Sequence, residues 1–158
     1  MTHSEEEHQV IRAATLRLFQ EVAARFPHAT VRTGLPAYGK PVPPGEVGTI
    51  ELSCSVVGTA KVQAMPSADE INLYFGEHTW IEYFPVRVES DGDIPYVREK
   101  LEAVVTGRFG EKLRVLKGRV QASREVFARR PDQVRRRLRR QPIFLPGRTV
   151  TIVYAPYG

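Results

Sequence analysis

The sequence predicts an α+β fold: an antiparallel, meander-like sheet covered on one face by an N-terminal helix and a middle helix, with a short basic helix before a C-terminal strand. Three observations predict it. Ile11, Leu18, Phe19, Val22 and Phe26 recur at helical spacing near the start of the chain. Two segments, Thr49 to Val56 and Arg148 to Tyr154, alternate apolar and polar residues as half-buried strands do. Between them, Ile71 to Phe84 reads as an aromatic-rich hairpin around Gly76.

The first helix starts well at Ser4. A capping side chain is followed by Glu5, Glu6 and Glu7, which complement the positive helix end, and Pro27 ends an element of about six turns. Ala29 to Thr33 is read as a short strand. Gly34 to Gly48 holds four prolines and four glycines and reads as a loop. Its Pro41, Pro43 and Pro44 favour a polyproline conformation, and with Tyr38 they mark a candidate partner-binding loop. In the strand Thr49 to Val56, Ile50, Leu52, Cys54 and Val56 share one side and Thr49, Glu51, Ser53 and Ser55 the other. Lys61 to Ala64 is read as pairing back.

The hairpin contains the sole tryptophan, Trp80, and is expected at the centre of the sheet. Pro85 interrupts its second strand, which Val86 to Val88 is expected to resume. Asp93 is the expected cap of a second helix from about Ile94 to Thr106, with Pro95 in its first turn and Gly107 past its end. Val97, Leu101, Val104 and Val105 form its buried side. Gly110 to Phe127 reads as a bent strand or a hairpin, with irregularity near Gly118.

The most distinctive stretch is Phe127 to Gln141. It carries Arg129, Arg130, Arg135, Arg136, Arg137, Arg139 and Arg140 against one acid, Asp132. Pro131 and Asp132 suit a helix start and Pro142 a stop. Val134 and Leu138 fall one turn apart and can anchor a narrow stripe, leaving arginine around the rest. Residues 1–97 hold 7 basic and 13 acidic side chains, residues 98–158 hold 16 basic and 5 acidic, and the total is +5. Such asymmetry points to a polyanionic partner. The competing reading pairs the two halves internally, since arginine also serves packed ion pairs.

Composition bounds the rest. With 158 residues, 42% hydrophobic and 26% charged, the chain can bury a core without staples, and a single domain over 1–158 is expected. Cys54, the only cysteine, cannot form an intramolecular disulfide. The apolar runs are too short for a transmembrane helix, and the acidic N-terminus reads against a secretory signal. A cytoplasmic protein without membrane attachment is therefore expected. No HExxH spacing, serine-hydrolase elbow or Gly-rich phosphate loop occurs, so no metal, cofactor or catalytic residue is assigned. His78 and Glu82 stand about 13 Å apart along one strand, too far to share a metal directly.

The expected function is a non-enzymatic binding module. The arginine helix, with Lys112, Arg114, Lys117 and Arg119, would contact a polyanion, most plausibly nucleic acid. The alternative is a protein-interaction module, an immunity, adaptor or assembly subunit, whose basic helix and proline-rich loop meet an acidic protein surface. A small enzyme using His78, Glu82 or Cys54 is the third reading, and the sequence leans against it. Edge strands near Ala29–Thr33 or Arg148–Tyr154 leave a homo-oligomer open.

Overall fold

The computed structural model describes residues 3–36 and 48–158. Tyr38, Pro41, Pro43 and Pro44, the candidate partner loop, lie outside the described residues. So do the side chains of Ser4, Glu5 and Glu7, on which the expected first cap rests.

The elements follow in the order α1 (His3–Ala23), β1 (Ala29–Leu35), β2 (Thr49–Cys54), β3 (Val62–Pro66), β4 (Ile71–Phe75), β5 (Thr79–Tyr83), α2 (Pro95–Val105), β6 (Phe109–Leu116), β7 (Arg119–Phe127), α3 (Pro131–Arg139) and β8 (Arg148–Val153). This is the expected α+β fold, with one addition. The strands form two antiparallel sheets: a five-stranded meander β1-β2-β3-β4-β5 and a three-stranded sheet β7-β6-β8.

The main core lies between the meander and the two longer helices. Ile11, Leu18, Phe19 and Val22 of α1 meet Ile50, Leu52, Val62, Ala64, Ile71 and Leu73 of the sheet, and Val97, Leu101, Val104 and Val105 of α2 complete it. Each of these α1 residues belongs to the helical stripe legible in the sequence. Tyr154, just past β8, and Tyr157 are also buried in this core. Tyr157 donates its hydroxyl to the Ala60 carbonyl at 2.6 Å.

Several expectations are corrected. The aromatic hairpin is not central: β5 is an edge strand and β3, the weakly patterned segment near Lys61, is the middle one. Trp80 is accordingly 52% exposed, its indole N–H donating to Asn72 at 3.2 Å. Val86 to Val88 does not resume the strand, because after Pro85 the chain leaves the sheet for α2. Asp93 does not cap α2. The N-cap is Ile94, and the Asp93 carboxylate instead accepts from Arg98 Nε at 2.8 Å. Glu51, expected on an open face, is buried in β2 beneath Arg32 and Gln63.

Gly110 to Phe127 resolves as the hairpin β6–β7. Lys117 and Gly118 both take positive φ, 52° and 75°, the backbone of a two-residue turn matched to strand twist. The register slips once between Arg114 and Val115, the irregularity that made the segment hard to read.

Candidate functional site

The basic helix is short, so its position depends on what lies under it. Val134 and Leu138 are fully buried against Val126 and Ala128, with Val153 packed alongside. The floor is Gly110 of β6. A Cβ there would lie 2.7 Å from Val134 Cγ1 and 2.8 Å from Leu138 Cδ1, so only glycine admits the helix this close. Pro131 occupies the first turn, Asp132 sits near the positive end, and Arg136, Arg137 and Arg139 lie at the negative end, as the helix dipole favours.

With Val134 and Leu138 facing the sheet, 100° per residue fixes the rest. Arg135, Arg136, Arg139 and Arg140 fill an outward arc of about 140°. All four are exposed, and so are Arg129, Arg130 and Arg137. Arg137 lies nearer the sheet and donates to the Phe127 carbonyl at 3.1 Å, while Arg130 reaches Asp132 at 3.3 Å. Among the described residues, Arg129, Arg135, Arg136, Arg139 and Arg140 make no ion pair or side-chain hydrogen bond.

The acidic residues pair elsewhere. Arg25 meets Glu102, Arg32 meets Glu51, and Arg98 meets both Glu21 and Asp93. Burial alone would raise the Glu51 carboxyl, yet hydrogen bonds from Arg32 and Gln63 and the charges of Arg32 and Lys61 hold it below the usual value. Hydrogen bonds from the arginines to their carboxylates likewise raise Arg25 and Arg98. These pairs engage Arg25 just past α1, Arg32 on β1 and Arg98 on α2, those of Arg25 and Arg98 joining the two halves, and none reaches the outward arc of α3.

The other candidate cations divide. Lys112 and Arg114 project from the face of β6 that α3 covers, the face shared with Gly110 at alternate positions. Both are occupied. Lys112 Nζ donates to the Gln141 carbonyl at 2.8 Å. Arg114 donates to the carbonyls of Ile143 at 2.9 Å and Gly147 at 3.0 Å, and to Thr149 Oγ1 at 2.7 Å. They bind the segment after α3 down onto the sheet. Lys117 and Arg119 stand exposed at the hairpin tip. Arg124, not singled out from the sequence, is the register partner of Lys112, shares its face and is exposed. Finding it required the hairpin register, which the slip at Arg114 conceals. The structure thus gathers α3 and Arg124 on one side of the three-stranded sheet.

The segment held by Lys112 and Arg114 carries a further feature the sequence reading passed over. Ile143 is buried, but Phe144 is 92% exposed and Leu145 45%. Apolar residues beside a Pro-Gly turn read as ordinary packing; only the fold shows the ring standing clear.

Elsewhere, a buried carboxylate joins the two sheets. Glu111 of β6 is fully buried and accepts four hydrogen bonds: from the backbone of Glu77 at 3.0 Å and His78 at 2.8 Å, from Thr79 Oγ1 at 2.7 Å and from the Tyr154 hydroxyl at 2.6 Å. It ties the β4–β5 turn to the small sheet. Burial, and then the bond to Glu111, push the Tyr154 hydroxyl far up. His78 is an exposed turn residue whose amide feeds this network, and Glu82 is exposed on the edge strand. Cys54 Sγ donates to the Tyr157 carbonyl at 3.5 Å. Among the described residues, no three His, Cys, Asp or Glu side chains gather as metal ligands. No described helix is long and apolar enough to cross a membrane.

Comparison of the chain with protein-family models, curated proteins and solved structures finds no match.

Proposed function

We propose that the protein is a non-enzymatic module that binds a polyanion, nucleic acid, through the outer face of α3. The observation that carries this reading is the outward arc of Arg135, Arg136, Arg139 and Arg140, exposed and without ion pairs among the described residues. Four guanidinium groups one turn apart or less repel one another, and a row of phosphates relieves that repulsion while releasing its own counterions. Arginine suits the task because its fork matches phosphate oxygens two at a time. Arg129, Arg130, Arg124, Lys117 and Arg119 extend the positive surface. Lys112 and Arg114 act indirectly by holding the neighbouring segment. Titration of labelled DNA and RNA across a salt series, with the four arginines replaced by alanine, tests the reading.

A second reading, attachment to an acidic protein surface, draws support from a different place. Trp80, Phe84 and Tyr96 are exposed on and beside the edge strand β5, and exposed aromatics are enriched at protein interfaces. Retention of a protein partner with no retention of nucleic acid would favour it.

A further inference from the structure

We infer that the polyanion is single-stranded nucleic acid and that Phe144 stacks on one of its bases; this rests on the proposed function of α3. Phosphate contacts by the arginines give affinity for single strands and duplexes alike. What distinguishes a single strand is the free π-face of an unstacked base, and proteins that bind such strands pair a basic track with an aromatic platform.

Phe144 meets the requirements of such a platform. Its ring is 92% exposed, so binding need not first strip it from a packed position. It is nevertheless held in place, which keeps the ordering cost of binding low. On one side Ile143 is buried and its carbonyl accepts from Arg114; three residues on, the Gly147 carbonyl accepts from the same guanidinium. Lys112 fixes Gln141, immediately past the helix. Because Lys112 and Arg114 rise from the sheet face that carries α3 and hold the chain at Gln141, Ile143 and Gly147, the segment bearing Phe144 lies on that side of the sheet, beyond the helix C-terminus. A strand following Arg135, Arg136, Arg139 and Arg140 would thus run on to Phe144.

Charge complementarity favours a nucleic acid over a lipid surface. The only apolar residues of α3 besides its proline, Val134 and Leu138, are buried under the helix. The helix therefore offers no apolar face to a bilayer, which interfacial helices need. One ring and a half-exposed leucine suit a base better than a membrane.

The test uses an oligonucleotide carrying a fluorescent adenine analogue, offered single-stranded and as its duplex, to the full chain and to Phe144→Ala, Phe144→Tyr and the four-arginine variant. The expected result is that Phe144→Ala weakens single-strand binding about tenfold and abolishes the stacking-dependent quenching, while duplex binding and the salt slope stay unchanged. Phe144→Tyr should keep both. Equal loss on the duplex, no loss on the single strand, or a Phe144-dependent binding to phosphatidylserine vesicles instead would overturn the inference. If binding depends on the arginines but not on Phe144, stacking fails and the polyanion reading stands. If neither nucleic acid is bound, both fail.

Discussion

Lys112 Nζ donates to the Gln141 carbonyl at 2.8 Å, so a cation on β6 sets the path of the chain immediately after the basic helix. With Arg114 on Ile143 and Gly147, it makes the segment 141–147 a fixed ledge rather than a loose connection. Replacing Lys112 and Arg114 together with methionine keeps the apolar stems and removes the donors. The expected outcome is faster amide exchange and proteolysis confined to 141–147. Melting should be clearly lowered, since four bonds are lost at about 1 kcal/mol each.

Gly110 sets the height of α3. Gly110→Ala places a methyl group against the Ile152 backbone carbonyl and the fully buried side chains of Val134 and Leu138. Overpacking of this kind costs roughly 1–3 kcal/mol. The variant should lose that much stability in urea unfolding and should also bind polyanions more weakly, because the helix is displaced. Unchanged stability would show that the sheet yields where the geometry says it cannot.

Glu111 is surrounded only by donors. In Glu111→Gln one of the two acceptor oxygens becomes an amide that must face the backbone N–H of either Glu77 or His78, neither of which can accept. The expected loss is roughly 1–3 kcal/mol, measured by denaturant midpoint. Nucleic-acid affinity should be unaffected, since the network lies under the opposite face of the small sheet.

Glu51 supplies a pH dependence of known sign. Its folded carboxyl titrates below the unfolded value of 4.5, so its contribution is complete above that pH and is lost as pH falls through the lowered folded value. Unfolding midpoints of the wild type should drop on acidification in that window, and Glu51→Gln should flatten this part of the profile. An unchanged acid limb in the variant would remove Glu51 from the account.

How much of this was legible beforehand depends on periodicity. The stripe Ile11, Leu18, Phe19, Val22 and the anchor pair Val134 and Leu138 repeat at fixed intervals and are buried as their patterns imply, and β2 and β8 form as strands, although Thr49 and Glu51 of β2 are buried on the side expected to be open. Position within a sheet is not periodic. The aromatics of β5 resemble a central strand, yet β5 lies at the edge, because order depends on what the chain does after Pro85. Arg124 became part of the site only through its pairing with Lys112 across a register slip. Phe144 and Glu111 were missed for a shared reason: burial of a carboxylate and exposure of a phenyl ring invert composition rules, and only tertiary neighbours reveal the inversion.

The four outward arginines of α3 make no ion pair or side-chain hydrogen bond among the described residues. Replacing Arg135, Arg136, Arg139 and Arg140 with alanine removes like-charge repulsion, about 0.2–0.5 kcal/mol per neighbouring pair, and introduces the best helix former. The lost attraction of Arg136 and Arg139 to the negative helix end, about 0.3–1 kcal/mol each, offsets that gain, so the variant should melt within a few degrees of the wild type. A melting temperature lowered by much more than this would mean that the arc has structural partners.

The most direct measurement is the salt dependence of nucleic-acid affinity for the wild type and this four-arginine variant. If the arc contacts phosphates, binding of single strands should fall with salt with a logarithmic slope of about −3 or steeper, and the variant should lose most of that slope. A slope that is absent, or identical in the two proteins, would contradict the assignment of α3 as a phosphate-binding surface.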